Sequence, residues 1–139
     1  MTQEQKELVA KDISSRLVYG LHAYVKISNN NSNIIKDLLF TPQYFNDWLN
    51  IPSCQKDVIK PYLRPMSSMT EEEKEYVKNR WCYEDWNDIH NFLNHYQIDV
   101  GDAFSFVDWL NSHHFDYRGL IEKGLAIEAP EGMYGNKSN

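Results

Sequence analysis

Residue types that can do chemistry are concentrated in the stretch HHFDYR, which begins at His113. Imidazole and carboxylate groups can ligate metals or transfer protons. His113 and His114 are sequence neighbours, so on a helix their rings would point about 100° apart and would rarely share one metal ion. We therefore predict that this stretch serves packing, with Arg118 paired to Asp116 or to a carboxylate of the preceding helix.

The remaining reactive side chains show no catalytic or metal-binding spacing. His90 and His95 are five residues apart and miss the i,i+4 spacing that places two imidazoles on one helical face. Cys54 and Cys82 are isolated, which is typical of reduced thiols. The sequence has no G-x-S-x-G motif and no phosphate-binding loop. We predict a protein that is not an enzyme and has no metal or cofactor; the alternative is a metal-dependent enzyme that uses His90, His95, His113 and His114.

Composition indicates one folded domain. The chain has 139 residues, of which 42% are apolar and 14% aromatic, enough for a proper core. We predict a single globular domain over residues 1–128 and a flexible tail over 129–139, because the tail is rich in Gly, Pro and Asn. The first residues, MTQEQKELVAKD, are polar, and no apolar run approaches the roughly 18–20 residues that cross a bilayer. We expect a cytoplasmic protein that does not contact a membrane.

The N-terminal half reads as a helix followed by strands. Apolar spacing predicts a helix over 3–16, and alternation predicts strands over 17–27 and 34–40. A helical turn follows near 45–53. Residues 57–66 read as an edge strand because Pro61 and Pro65 lack a backbone donor.

The C-terminal half reads as helical. Thr70 and Glu73 form a capping-box pattern, which predicts a helix that begins there and runs to about Trp81. Further helices are predicted over 84–96, 102–113 and 117–123, the last ended by Gly124. The predicted fold class is α+β, with a small N-terminal antiparallel sheet of about three strands and a helical C-terminal half.

Charge is distributed unevenly along the chain. Residues 1–65 carry a formal charge of +2 and residues 66–139 a charge of −8, within a total of −6. Between Trp81 and Tyr117 there is no lysine or arginine, but there are seven carboxylates and ten aromatic residues. Short helices cannot bury that many aromatic rings on one face, so we expect some of them to be exposed.

Exposed aromatic rings surrounded by carboxylates suit a basic protein partner. We predict a partner-binding surface in this stretch, made of Asp85, Trp86, Asp88, Asp99, Asp102, Asp108 and Trp109. A partner that normally binds nucleic acid would be one such basic protein.

The alternative function is that of a nucleic-acid-binding accessory protein. Basic and aromatic side chains are interleaved on the predicted strands of the N-terminal half, a combination that binds single strands. The candidate residues are Lys56, Lys60, Tyr62 and Arg64. We rank direct nucleic-acid binding below protein binding, because a charge of +2 over 65 residues is small and the acidic half would repel phosphates.

Two long stretches resemble a group of small proteins encoded by bacteriophages and prophages of gut-type bacteria. These are KPYLRPMSSMTEEEKEYVK (60–78) and VDWLNSHHFDYRGLIEKGLAIEAPEGMY (107–134). SSRLVYG (14–20) is also similar, although proline commonly stands where Val18 does here. The three stretches cover about 54 of the 139 residues, and 79–106 does not match.

The group has no established activity, so the resemblance implies no catalytic residues. It implies a phage protein in the cytoplasm of a host bacterial cell. Such a protein would bind a host protein, and by analogy would inhibit a defence nuclease, as anti-CRISPR proteins do. A structural component of the phage particle is a further alternative.

Overall fold

The first helix is fixed at its N-terminus by a local capping box. In the computed structural model, which describes residues 2–28, 33–50, 58–81 and 100–134, α1 spans Gln3–Ser14. The Thr2 hydroxyl accepts from the Gln5 backbone N–H at 3.1 Å, and the Gln5 side chain accepts from the Thr2 N–H at 2.9 Å. Val9 and Ile13, one turn apart, are fully buried. The predicted N-terminal helix is confirmed.

The sheet contains β1 (His22–Ser28), β2 (Asn33–Leu39), β3 (Val58–Leu63) and β4 (Ile127–Glu128), in the order β2-β1-β3-β4. β1 is antiparallel to both β2 and β3, as expected for a small N-terminal antiparallel sheet. β4 comes from the C-terminal half and runs parallel to β3, so the whole sheet is mixed. Leu21, Ala23 and Val25 are buried, as the alternating pattern predicts.

The prediction that residues 57–66 form an edge strand was wrong. β3 lies between β1 and β4, which pairs with Tyr62 and Leu63. Proline is tolerated here because β4 meets β3 only after Pro61, so the missing N–H of Pro61 does not interrupt that short pairing. Because β3 and β4 are far apart in the sequence, no local sequence pattern could predict that they pair.

Three further helices are described: α2 (Pro42–Leu49), α3 (Glu71–Trp81) and α4 (Val100–Ser112). Thr41 caps α2, and Pro42 takes its first position. The predicted capping box of α3 is confirmed, since Thr70 Oγ1 accepts from the Glu73 N–H at 3.1 Å and Glu73 Oε1 from the Thr70 N–H at 2.9 Å. The predicted helix over 84–96 lies outside the described residues.

The helix predicted over 117–123 is instead a series of turns. The carboxylate of Asp116 accepts from the backbone N–H groups of Leu120 and Ile121, at 2.8 and 2.9 Å. Gly119 and Gly124 both have φ of +74°, which turns the chain away from a right-handed helix. The Asp116 carboxylate and the two left-handed glycines thus stabilise turns where the spacing of apolar residues predicted a helix.

Buried apolar side chains form two clusters. The first joins α1 and α2 to the sheet and to the C-terminal turns: Val9, Ile13, Leu21, Ala23, Val25, Phe40, Trp48, Ile59, Leu63, Leu120, Leu125 and Ala126. The second joins α3 and α4 to the segment after α4: Met69, Val77, Trp81, Phe106, Leu110, Phe115 and Tyr117. Within the described residues, no helix combines the length and apolar character that crossing a membrane requires.

A buried ion-pair network joins α1 to the C-terminal turns. Asp12, fully buried on α1, accepts from Arg16 Nε and Nη2 at 3.0 Å each and from Arg118 Nη1 at 2.7 Å. Arg16 is itself fully buried and donates from Nη2 to the carbonyl oxygen of Phe115 at 2.6 Å. The expected pairing of Arg118 with Asp116 or with the preceding helix was therefore wrong. Asp116 is already engaged by backbone N–H groups, and the carboxylate available to Arg118 lies 106 residues away.

Removal of the Asp12 carboxylate should destabilise the protein strongly. Asp12→Ala leaves the Arg16 guanidinium buried without its counter-charge, so we expect the free energy of unfolding to fall by about 3–5 kcal/mol. Urea denaturation at neutral pH measures this change. Glu7→Ala, an exposed carboxylate on the same helix, is the control and should change stability by no more than about 0.5 kcal/mol. Similar losses in the two variants would contradict the role given to the network.

Candidate partner-binding site

The outward side of α4 carries an exposed aromatic ring beside a carboxylate. Phe104 is 73% exposed, and Asp108, one helical turn later, is also exposed. Phe106 and Leu110, on the opposite side of the helix, are fully buried in the second cluster. Along α4, the 3.6-residue period thus places Phe106 in the core and Phe104 in solvent.

A hydrogen bond connects Asp108 to the N-terminal segment. The Tyr19 hydroxyl donates to Asp108 Oδ1. This hydrogen bond, with a smaller contribution from burial and from the carboxylate charge, raises the pKa of Tyr19 above its usual value. Val18, the preceding residue in a short 3-10 turn, is 84% exposed. We call Val18, Tyr19, Phe104 and Asp108 the α4 surface.

Trp109 lies between the α4 surface and the second cluster. Its ring is half-buried, stacks on Tyr76 with centroids 5.7 Å apart, and contacts His113 at 4.3 Å and Phe115 at 5.8 Å. Tyr76, on α3, is 50% exposed. Most of the Trp109 contacts are internal, so this residue supports the fold as well as bordering the surface.

The structure describes only part of the surface predicted from the sequence. Asp108 and Trp109 are adjacent on α4, and Asp102 is in its first turn. Asp85, Trp86, Asp88 and Asp99 lie outside the described residues. Sequence reasoning did not select Phe104 or Tyr19. The i,i+4 spacing of Phe104 and Asp108 could have predicted that they share one side of the helix. Tyr19 is 89 residues from Asp108, so no sequence pattern could have predicted their contact.

The residues of the nucleic-acid alternative do not form an open basic surface in the described part of the chain. Tyr62 is only 7% exposed, which leaves little of its ring for base stacking. Arg64 makes a bidentate pair with Glu73, at 2.7 and 2.9 Å, and its guanidinium lies over the Phe115 ring at 4.1 Å. Lys60 is half-buried on β3, and Lys56 lies outside the described residues.

His113 and His114 are held by backbone acceptors. His113 Nδ1 lies 3.0 Å from the Trp109 carbonyl oxygen, and His114 Nε2 lies 3.0 Å from the Tyr19 carbonyl oxygen. Among the residues that the structure describes, no group of three or more His, Cys, Asp or Glu side chains could hold a metal ion. His90, His95, Cys54 and Cys82 lie outside that part of the chain.

His114 is a buried neutral imidazole. It is 2% exposed, adopts a left-handed backbone with φ of +59°, and stacks on Tyr134 with centroids 3.9 Å apart. A ring nitrogen that faces a carbonyl must carry a proton, so Nε2 donates and Nδ1 is the bare nitrogen. Nδ1 is buried and has no partner among the described residues. Burial, reinforced by the charge of Arg16 and by the neighbouring His113 and His22, lowers the pKa of His114 from 6.5 to about 4.

Comparison with known proteins finds no match for this chain. No family model matches the chain, and searches of the curated proteins and of the solved structures also give no match. The phage-protein resemblance therefore stays a prediction.

The low pKa of His114 should make stability depend on pH. Between pH 6.5 and 4 the unfolded chain binds a proton at this position and the folded chain does not, so stability falls as the pH falls. Between pH 7.5 and 5 we expect this residue alone to reduce the free energy of unfolding by about 2 kcal/mol.

Urea denaturation of wild type and His114→Asn at both pH values isolates that contribution, because the other titrating groups are shared. Asparagine tolerates the left-handed backbone that His114 adopts. The stability difference between the two proteins should shift by about 2 kcal/mol in favour of the variant at the lower pH. Two parallel pH profiles would contradict the assignment of a neutral, buried His114.

Proposed function

We propose that this protein is a non-enzymatic binding module that docks a basic protein partner through the α4 surface. The observation that carries the proposal is the exposed Phe104 ring one turn from the exposed Asp108 carboxylate. An aromatic ring left in solvent beside charged groups is typical of protein-binding surfaces, where it becomes the buried anchor.

The two residues would contribute differently to binding. Covering the Phe104 ring would stabilise a complex by about 1.5–3 kcal/mol through removal of apolar surface from water. The Asp108 carboxylate would steer and orient a basic partner, and its effect would weaken as salt screens the charge. The absence of lysine and arginine from Trp81 to Tyr117 means that no cation of this stretch offsets that field.

The resemblance to phage proteins supports a more specific version of the proposal. In a host bacterial cytoplasm, the partner would be a host protein with a basic groove, such as a defence nuclease that grips nucleic acid. An acidic surface occupies such a groove by the same field complementarity that attracts phosphates. Inhibition would then follow from occupancy of the groove and would need no cofactor and no covalent step.

Capture of host proteins by tagged variants tests the proposal. The wild type, immobilised in a lysate of a gut bacterium at low salt, should retain one stoichiometric basic protein that is released at high salt. Phe104→Ala and Asp108→Lys should each lower its affinity at least tenfold, which corresponds to about 1.4 kcal/mol. Binding is then measured with the purified partner.

Matched controls separate docking from folding. Leu49→Ala removes an apolar side chain of 44% exposure on α2, and Glu122→Lys reverses an exposed carboxylate in the C-terminal turns. Both controls should bind like the wild type, and all variants should keep its melting temperature within a few degrees. An affinity that is unchanged in Phe104→Ala and Asp108→Lys, or the absence of any retained protein, would contradict the proposal.

A further inference from the structure

The central pair of the α4 surface, Phe104 and Asp108, is only partly engaged by the fold. Asp108 is exposed and makes no ion pair with any described residue; the hydrogen bond that it accepts comes from the Tyr19 hydroxyl. The Phe104 ring is 73% exposed and stacks on no other aromatic ring of the described residues. Both groups therefore keep a side that a molecule from outside the chain can contact.

The spacing of these two residues lets one flat group touch both. Side chains four residues apart lie on the same face of a helix, with Cβ atoms about 5–6 Å apart. The Tyr19 hydrogen bond takes one of the roughly four lone-pair positions of the Asp108 carboxylate and restricts its rotation. The other positions stay available as acceptors. The pair thus presents an oriented carboxylate beside an exposed phenyl ring.

Within this fold, arginine completes the same combination of groups. Arg64 donates to both carboxylate oxygens of Glu73, at 2.7 and 2.9 Å, and its guanidinium lies 4.1 Å from the centre of the Phe115 ring. Arg118 donates to the Asp12 carboxylate at 2.7 Å, and its guanidinium lies 4.7 Å from the centre of the adjacent tyrosine ring. A carboxylate beside an aromatic ring thus holds a guanidinium at both of these places.

A guanidinium fits the pair better than the ammonium group of lysine does. Its planar fork donates two parallel hydrogen bonds to a carboxylate, and its face stacks on an aromatic ring. An ammonium is a compact, strongly hydrated point charge without such a plane. The sequence has no lysine or arginine between Trp81 and Tyr117, and no described cation pairs with Asp108. In a complex, the guanidinium would come from the partner.

We propose that the α4 surface binds an arginine side chain of the partner, with the guanidinium edge on the Asp108 carboxylate and its plane on the Phe104 ring. This inference rests on the proposed function and names the chemical group that the surface recognises. It makes the surface selective for arginine over lysine, because both contacts use the planar shape of the guanidinium and not its charge alone.

Titration of the intact protein with two peptides of equal charge tests this selectivity. The probes are hexaarginine and hexalysine, each added at low salt to the ¹⁵N-labelled protein. Hexaarginine should shift the amide signals of Phe104, Asp108 and Tyr19, and it should bind more tightly than hexalysine. Because carboxylates elsewhere on an acidic protein also attract both peptides, the selectivity must be assigned to this surface with variants.

Two conservative variants make that assignment. Phe104→Leu keeps an apolar side chain but removes the ring, so it should lower the affinity for hexaarginine about two- to fivefold, the effect of one exposed cation–π contact, and leave hexalysine binding unchanged. Asp108→Asn removes the charge at nearly constant shape and should weaken both peptides about two- to fivefold.

Matched controls lie outside the α4 surface. Leu49→Ala and Glu122→Gln change an exposed apolar side chain and an exposed carboxylate, and both should bind the two peptides as the wild type does. Equal affinities of hexaarginine and hexalysine, no shift at Phe104 and Asp108, or an arginine preference that survives in Phe104→Leu would each overturn the inference.

The capture experiment separates failure of this inference from failure of the proposed function. If Phe104→Ala loses the host protein but Phe104→Leu binds it with wild-type affinity, the α4 surface docks the partner through an apolar contact, and arginine recognition is overturned while the proposed function stands. If Phe104→Leu also weakens the host protein about two- to fivefold, the ring itself is recognised, as the inference requires. Unchanged affinity in Phe104→Ala overturns both.

Discussion

The structure depends on one buried carboxylate, that of Asp12. It sits on α1, which covers the sheet, and it receives both Arg16 of its own helix and Arg118 from the C-terminal half. A guanidinium buried without a counter-charge costs several kcal/mol, so Asp12 and Arg16 must be buried together. Arg118 adds a second, half-buried cation to the pair. Arg16 extends the link to the backbone of Phe115, which belongs to the second apolar cluster. This network thus connects α1, and with it the first cluster, to the second cluster and to the C-terminal turns.

In this arrangement the reactive side chains of the stretch HHFDYR make internal contacts. The segment after α4 continues beside the end of β3, where the Arg64 N–H donates to the His114 carbonyl oxygen at 2.7 Å and the Arg64 carbonyl oxygen accepts from the Asp116 N–H at 2.8 Å. The polar side chains from His114 to Arg118 make internal contacts. His114 faces a carbonyl, Asp116 orders a turn, Tyr117 donates to Asn111, and Arg118 reaches Asp12.

On α4, the aromatic residues divide between the core and the surface according to helical position. Trp81, Phe106 and Phe115 are buried together, and the Trp81 and Phe106 rings stack at 4.7 Å. Phe104 is not part of this packing because it lies on the other side of α4, beside the exposed carboxylate of Asp108. The proposed binding surface and the packed cluster are therefore two sides of one helix.

The sequence by itself determined the features that depend on neighbouring residues. The capping box of Thr70 and Glu73, the alternation along β1, the inward side of α4 and the acidic bias of the second half all follow from local geometry or counting. The same helical periodicity that places Phe106 and Leu110 in the core places Phe104 on the exposed side of α4. Only the tertiary structure decided which distant groups meet: β4 with β3, Tyr19 with Asp108, and Arg118 with Asp12. Asp116 is near Arg118 in sequence, but backbone N–H groups already occupy its carboxylate, so Arg118 pairs with the distant Asp12. Local sequence patterns do not show which donors reach a given carboxylate.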